Sequence, residues 1–342
     1  RFLWDVRRTI SDLVTENYAA TMTRLAHGHG LKLSMEGYSS LGGGPFDSLD
    51  YGGQVDLPMG EFWNETDESV HFHPCRIMAS AAHTRGRPVV AAEAFSAWPK
   101  ESSWREHPGA LKRLADAAFC EGVNQLVLQS HALQPWLNRQ PGMTFGHWGL
   151  HYDRNQTWWE QSKPWHEYLA RCQFLLQRGR AVADVCYLVA EGGFAELPTR
   201  DRLAVPMPAG RDYDLVSPAV VMAGMTVQKG RLTLPSGANY QLMVLPPGET
   251  MTLPLLQKLG ELVRAGATII GTRPQRSPSL AVQFSGADAV RRLADELWGD
   301  CDGRTAKERR LGLGRIVAGK SLQEIFEECG TPLDLKKKKN LP

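Results

Sequence analysis

Hydrophobic positions in the first half of the chain repeat with two alternating periods. In RRTISDLVTENYAATMTRLAHGHG, residues 7–30, apolar side chains recur at helical spacing and stop at Gly28–Gly30, which predicts an amphipathic helix. LKLSMEGY then reads as a strand, and a glycine-rich loop leads to a second, QVDLPMGEFW. CRIMASAAHTRG is a short helix and RPVVAAEAF a third strand. HPGALKRLADAAFCEG predicts a helix capped by Gly122, VNQLVLQS a fourth strand, and KPWHEYLARCQFLLQRG a helix after a long aromatic loop. Strands alternating with helices imply parallel crossovers and an α/β architecture.

From about residue 183 the pattern changes. ADVCYLVAE is a strand, and YDLVSPAVVMAG reads as a helix leading away from it. Residues 240–272 read as strand, turn, helix, strand, broken at Pro246–Pro247 and capped at Gly266, which is a βαβ unit of an open sheet. The region carries no G-x-G-x-x-G, Walker loop or nucleophile elbow, so packing or assembly is its expected role. The expected division is 1–182, 183–335, and a basic tail, 336–342, that carries Lys336–Lys339.

Composition narrows the class. Across 342 residues, 42% are hydrophobic and 22% charged, as in soluble globular chains. A net charge of +2 gives no electrostatic case for nucleic acid, six scattered cysteines make no C-x-x-C, and no apolar run is long enough for a membrane span. The chain opens at Arg1, inside a helical pattern, and is expected to be a fragment of a longer protein.

Three carboxylates change the picture. Glu36, Glu61 and Glu93 each fall at the predicted carboxyl end of a strand, and Glu93 is the lone charge in VVAAEAF. A carboxylate in apolar surroundings costs several kcal/mol unless it is paired or used. Catalytic residues gather at the carboxyl ends of strands in a (β/α)8 barrel, and ligands also bind there in open sheets; the repeated carboxylates favour a partial barrel. Carboxylates on different strands suit the acid and base work of glycoside cleavage. Eight of the ten tryptophans lie between residues 63 and 165, among them Trp63, Trp136 and Trp148, and indole faces stack on sugar rings. His131 and His151 follow predicted strands and are candidates for binding sugar hydroxyls.

Beyond these features, FLWDVRRTISDLVTENYAATMTRLAHGHGLKLSMEGY, VDLPMGEFW, AAEAF and the TWWEQ…WHEYLARCQ block resemble the C-terminal half of the catalytic barrel of the glycoside hydrolase family 106 α-L-rhamnosidases. The resemblance runs from residue 1 to about 190 and continues more weakly to about 280. It implies a partial (β/α)8 TIM-like barrel followed by a flavodoxin-like or amidotransferase-like α/β domain. It also implies an inverting, Ca2+-dependent hydrolase that removes terminal α-L-rhamnose from rhamnose-containing glycans or glycosides, in the periplasm or outside a bacterial cell. Glu93 in A-E-A-F resembles the general base, Glu61 in G-E-F-W a second active-site carboxylate, and Asp5 in W-D-x-R-R-T a further acidic position that would bind substrate. Glu36 and Glu61 are the candidate calcium ligands. The family's upstream Asp-x-Trp-Glu motif, whose glutamate looks like the general acid, does not occur in this chain. The alternative reading is a non-catalytic sugar-binding protein on a degenerate barrel.

Overall fold

The computed structural model describes residues 1–37, 44–64, 72–100, 102, 104–146, 150–193, 196–281, 286 and 288–333. The lysine-rich tail and Trp148 lie outside the described residues. The N-terminal helical pattern forms α1 (Phe2–Val14), one π-helical stretch (Thr15–Ala20) and α2 (Thr21–Gly28).

Four strands form the first sheet: β1 (Ser34–Glu36), β2 (Leu57–Asn64), β3 (Ala91–Ala97) and β4 (Gln125–Leu128). They lie in that order, and every pairing is parallel. Between them run α3 (Ser48–Gly52), α4 (His73–Arg85) and α5 (Pro108–Cys120), and α6 (Lys163–Leu176) follows. The central strand β3 is buried almost throughout, as a parallel strand covered by helices must be, whereas the edge strands β1 and β4 are partly exposed. Phe62, Ala92, Ala94, Phe95, Leu111, Ala118, Trp165 and Leu169 form the core on the α5–α6 side.

The second sheet contains β5 (Val185–Leu188), β6 (Tyr213–Val216), β10 (Leu242–Val244), β11 (Thr268–Ile270), β12 (Glu308–Leu311) and β13 (Gly314–Val317). Its order is β12-β13-β11-β10-β5-β6, and β12 is the antiparallel strand. Helices α7 (Pro218–Gly224), α8 (Leu253–Arg264), α9 (Ala289–Trp298) and α10 (Leu322–Glu328) pack around it, and β7 (Thr226–Gln228), β8 (Arg231–Thr233) and β9 (Asn239–Tyr240) form a small antiparallel sheet. The segment expected to be one helix from Tyr213 splits instead. YDLV is strand β6, and the helix begins after Ser217, whose hydroxyl accepts from the Val220 N–H while Pro218 starts the first turn.

Helix α4 joins the two sheets. Nine of its thirteen residues are buried, and Ile77, Met78, Ala81 and Ala82 share one core with Val185, Tyr187, Tyr213 and Leu215 of the second sheet. It also covers the edge of β6: Arg76 Nη1 donates to the Tyr213 carbonyl at 3.1 Å, and Ser80 Oγ accepts from the Leu215 N–H at 3.0 Å. Those contacts satisfy backbone groups that an open edge would leave unpaired. At its other side α4 lies on β2 so closely that a Cβ on Gly60 would meet the Pro74 carbonyl carbon at 2.8 Å. The apolar core therefore crosses residue 183 without a break.

Candidate active site

The three glutamates meet. Glu61 on β2 stands directly opposite Glu93 on β3, and Glu36 on β1 pairs with Met59, two residues before Glu61. One carboxylate oxygen from each lies within 4.8 Å of the other two, and all three side chains are half-buried. Only Glu36 ends its strand; Glu61 and Glu93 sit inside theirs, because pairing continues past them through Trp63–Ser96 and Asn64–Ala97.

Like charges facing one another across neighbouring strands are unfavourable. Burial, then the Glu93 and Glu61 carboxylates, push the Glu36 carboxyl up to about 7. Burial also raises Glu93, with Glu61 adding to it, while the Ser96 hydroxyl, which donates to Glu93 Oε1, pulls the value back. Such a cluster needs a proton or a cation to be at ease near neutrality.

A calcium ion fits this donor set. It takes carboxylate oxygens at about 2.4 Å, so two oxygens on one ion stand at most about 4.8 Å apart. The observed 4.8 Å limit satisfies that geometry for all three carboxylates. An inverting pair needs acid and base roughly 6.5–9.5 Å apart to admit water, a wider spacing than the nearest oxygens of this trio show.

The other candidates distribute unevenly. Trp63 lies two residues beyond Glu61 on β2, on the same side of the strand, and its ring stands 5.5 Å from that of Trp98. The Asp5 carboxylate accepts from the Leu280 N–H at 2.9 Å and ties α1 to the loop after β11. His131 is exposed, with Nδ1 3.1 Å from the Tyr152 carbonyl. His151 is buried and stacks on Trp104 at 3.8 Å; burial lowers its pKa. Trp136 is exposed, with Arg139 over its ring at 5.1 Å. Sequence reasoning missed Ser96, since a regular strand would place it on the face opposite Glu93.

Parallel strands with helices between them and three carboxylates clustered on neighbouring strands make an acid–base site of the kind glycoside hydrolases use. The profile of glycoside hydrolase family 106, alpha-L-rhamnosidase, matches residues 1–341, and the chain belongs to that family. It is similar to the structure of a rhamnosidase from Novosphingobium sp. PP1Y, with a TM-score of 0.87 and 29% identity, over 98% of this chain and 32% of that one. A GH42 β-galactosidase, Gan42B, shares the fold at a TM-score of 0.57 and 11% identity, over 97% of this chain and 58% of that one. A curated relative from Formosa agariphila, 38% identical over 300 residues, covers 87% of this chain and carries a provisional β-glucuronidase name. The chain spans 24% of that relative's length, so it matches a part of considerably longer proteins.

Proposed function

We propose that the longer protein containing this chain is an inverting α-L-rhamnosidase and that this chain supplies its general base, Glu93. The observation that carries the reading is the convergence of Glu36, Glu61 and Glu93 in a chain of this family. Glu93 takes the proton from the attacking water. Burial raises its basicity, which suits that step. Glu36 and Glu61 would hold calcium, which would supply positive charge and bind vicinal sugar hydroxyls. Trp63 offers an apolar face to the sugar ring. The general acid comes from outside this chain, in keeping with the short spacing within the trio. The substrate is a terminal α-L-rhamnose on a glycan or glycoside, and the protein works in the periplasm or outside the cell. Among the described residues, no helix is long and apolar enough to cross a membrane.

The β-glucuronidase name of one relative makes a competing sugar assignment. The family model and the similar solved structure, both of rhamnosidases, favour rhamnose. The deciding experiment uses the full-length protein with aryl α-L-rhamnoside and aryl β-D-glucuronide. Rhamnoside turnover should fall by roughly 10²–10⁴-fold in Glu93→Gln. A variant within about threefold of wild type removes Glu93 from the role, and turnover of the glucuronide alone replaces the sugar. Dialysis against EGTA should abolish turnover, with Ca2+ restoring it better than Zn2+; full activity after dialysis removes calcium from the account.

A further inference from the structure

We propose that Ser96 is a positioning residue for Glu93, and that a one-residue bulge in β3 exists to place it there. The proposal rests on the assignment of Glu93 as base. Side chains of a regular strand alternate between faces, so residues three apart point in opposite directions. Glu93 and Ser96 are three apart, yet the Ser96 hydroxyl donates to Glu93 Oε1. The register explains the contact. Glu61 pairs with Glu93, but Trp63 pairs with Ser96, so β3 uses three steps where β2 uses two. The surplus residue is absorbed at Phe95, whose φ is +66°. Inserting one residue reverses the facing of everything after it and brings Ser96 round to the side of Glu93.

A bulky side chain at positive φ is a genuine outlier, and such outliers persist where the surroundings fix them. Phe95 is fully buried, edge-on to Phe62 at 5.3 Å and 6.2 Å from Trp165. Those rings lock the bulge. Ser96 is itself fully buried, and its hydroxyl donates to Glu93. The donated hydrogen bond fixes one oxygen of the Glu93 carboxylate.

The test compares full-length wild type, Ser96→Ala, Ser96→Cys and Glu93→Gln. Alanine and cysteine keep the small volume and remove the strong donor. Both should lower kcat by roughly 10–100-fold with KM unchanged, as expected when a reacting group is misplaced by about 1 Å. Their melting temperatures should match wild type. Crystal structures of the alanine variant and wild type provide a readout that needs no activity: the Glu93 carboxylate should leave its wild-type position. An unmoved carboxylate, or kcat within about twofold of wild type, overturns the proposal. Loss in Glu93→Gln with none in Ser96→Ala overturns the positioning role alone, whereas no loss in Glu93→Gln overturns the base assignment.

Discussion

A single carboxyl, Glu36, shows how the site trades stability for chemistry. It is held up to about 7 by burial and by the charges of Glu93 and Glu61. In calcium-free protein at about pH 8 the Glu36 carboxyl is driven to ionise beside Glu93 and Glu61, and the fold bears the repulsion. Glu36→Gln keeps the shape and removes one charge. Its melting temperature in EGTA should exceed that of wild type, while calcium-dependent turnover of the full-length protein falls. Differential scanning calorimetry with and without Ca2+ checks this, and a lower melting temperature in EGTA would show that the carboxylates are not in conflict. Stabilising changes that lower activity are usual where a site is strained for function.

At the scale of elements, the contact between α4 and β6 is the most consequential. Asp214 on β6 accepts from His83 Nδ1 at 2.9 Å and from the Tyr240 hydroxyl at 2.9 Å. Burial opposes its charge, but His83, Arg76 and Tyr240 together hold its carboxyl below the usual value. A depressed carboxyl contributes stability above its unfolded value near 3.8 and loses that contribution as pH falls through the lower folded value. Asp214→Asn should therefore lower stability at neutral pH by about 3–5 kcal/mol and flatten the acid limb of the stability curve. Urea denaturation across the acid range reads both effects, and an unchanged acid limb would place the acid sensitivity elsewhere. Gly60→Ala should push the first turn of α4 off β2, since its Cβ has no space beside Pro74, and cost about 1–3 kcal/mol. Much of this layer was legible in the sequence: the strand–helix alternation and the three glutamates follow from periodicity and from charge in apolar runs. The division between β6 and α7 was not, because apart from Asp214 and Ser217 the segment YDLVSPAVVMAG has no strongly polar residue and only the Ser217–Pro218 cap divides it. Nor was Ser96, because a strand pattern carries no mark of a bulge, and one inserted residue reverses the face of every later side chain.

In the whole molecule two sheets depend on one helix. Residues 183–333 expressed alone would expose Val185, Tyr187, Tyr213 and Leu215, which share their core with α4. That fragment should be molten or aggregated, as read by loss of near-ultraviolet circular dichroism and by dye binding; a cooperative thermal transition would show that the second sheet stands without α4. The N-terminal helices carry a different liability. Phe2 is 66% exposed, Leu3 65%, Leu13 51% and Leu25 56%, and large apolar side chains in solvent invite association, so residues 1–342 should sediment as oligomers that Leu3→Lys with Leu13→Lys reduces. Helix α4 also bears on laboratory evolution. It rests on β2 beside Glu61, whose carbonyl accepts from Cys75 Sγ at 3.4 Å, and it caps the backbone of β6 on its far side. A library screened for altered turnover should therefore yield improved and damaged clones at Tyr213 and Leu215 as well as around the glutamates. Recombination that joins the N-terminal sheet of one homologue to the C-terminal sheet of another should succeed only when α4 and β6 are inherited together.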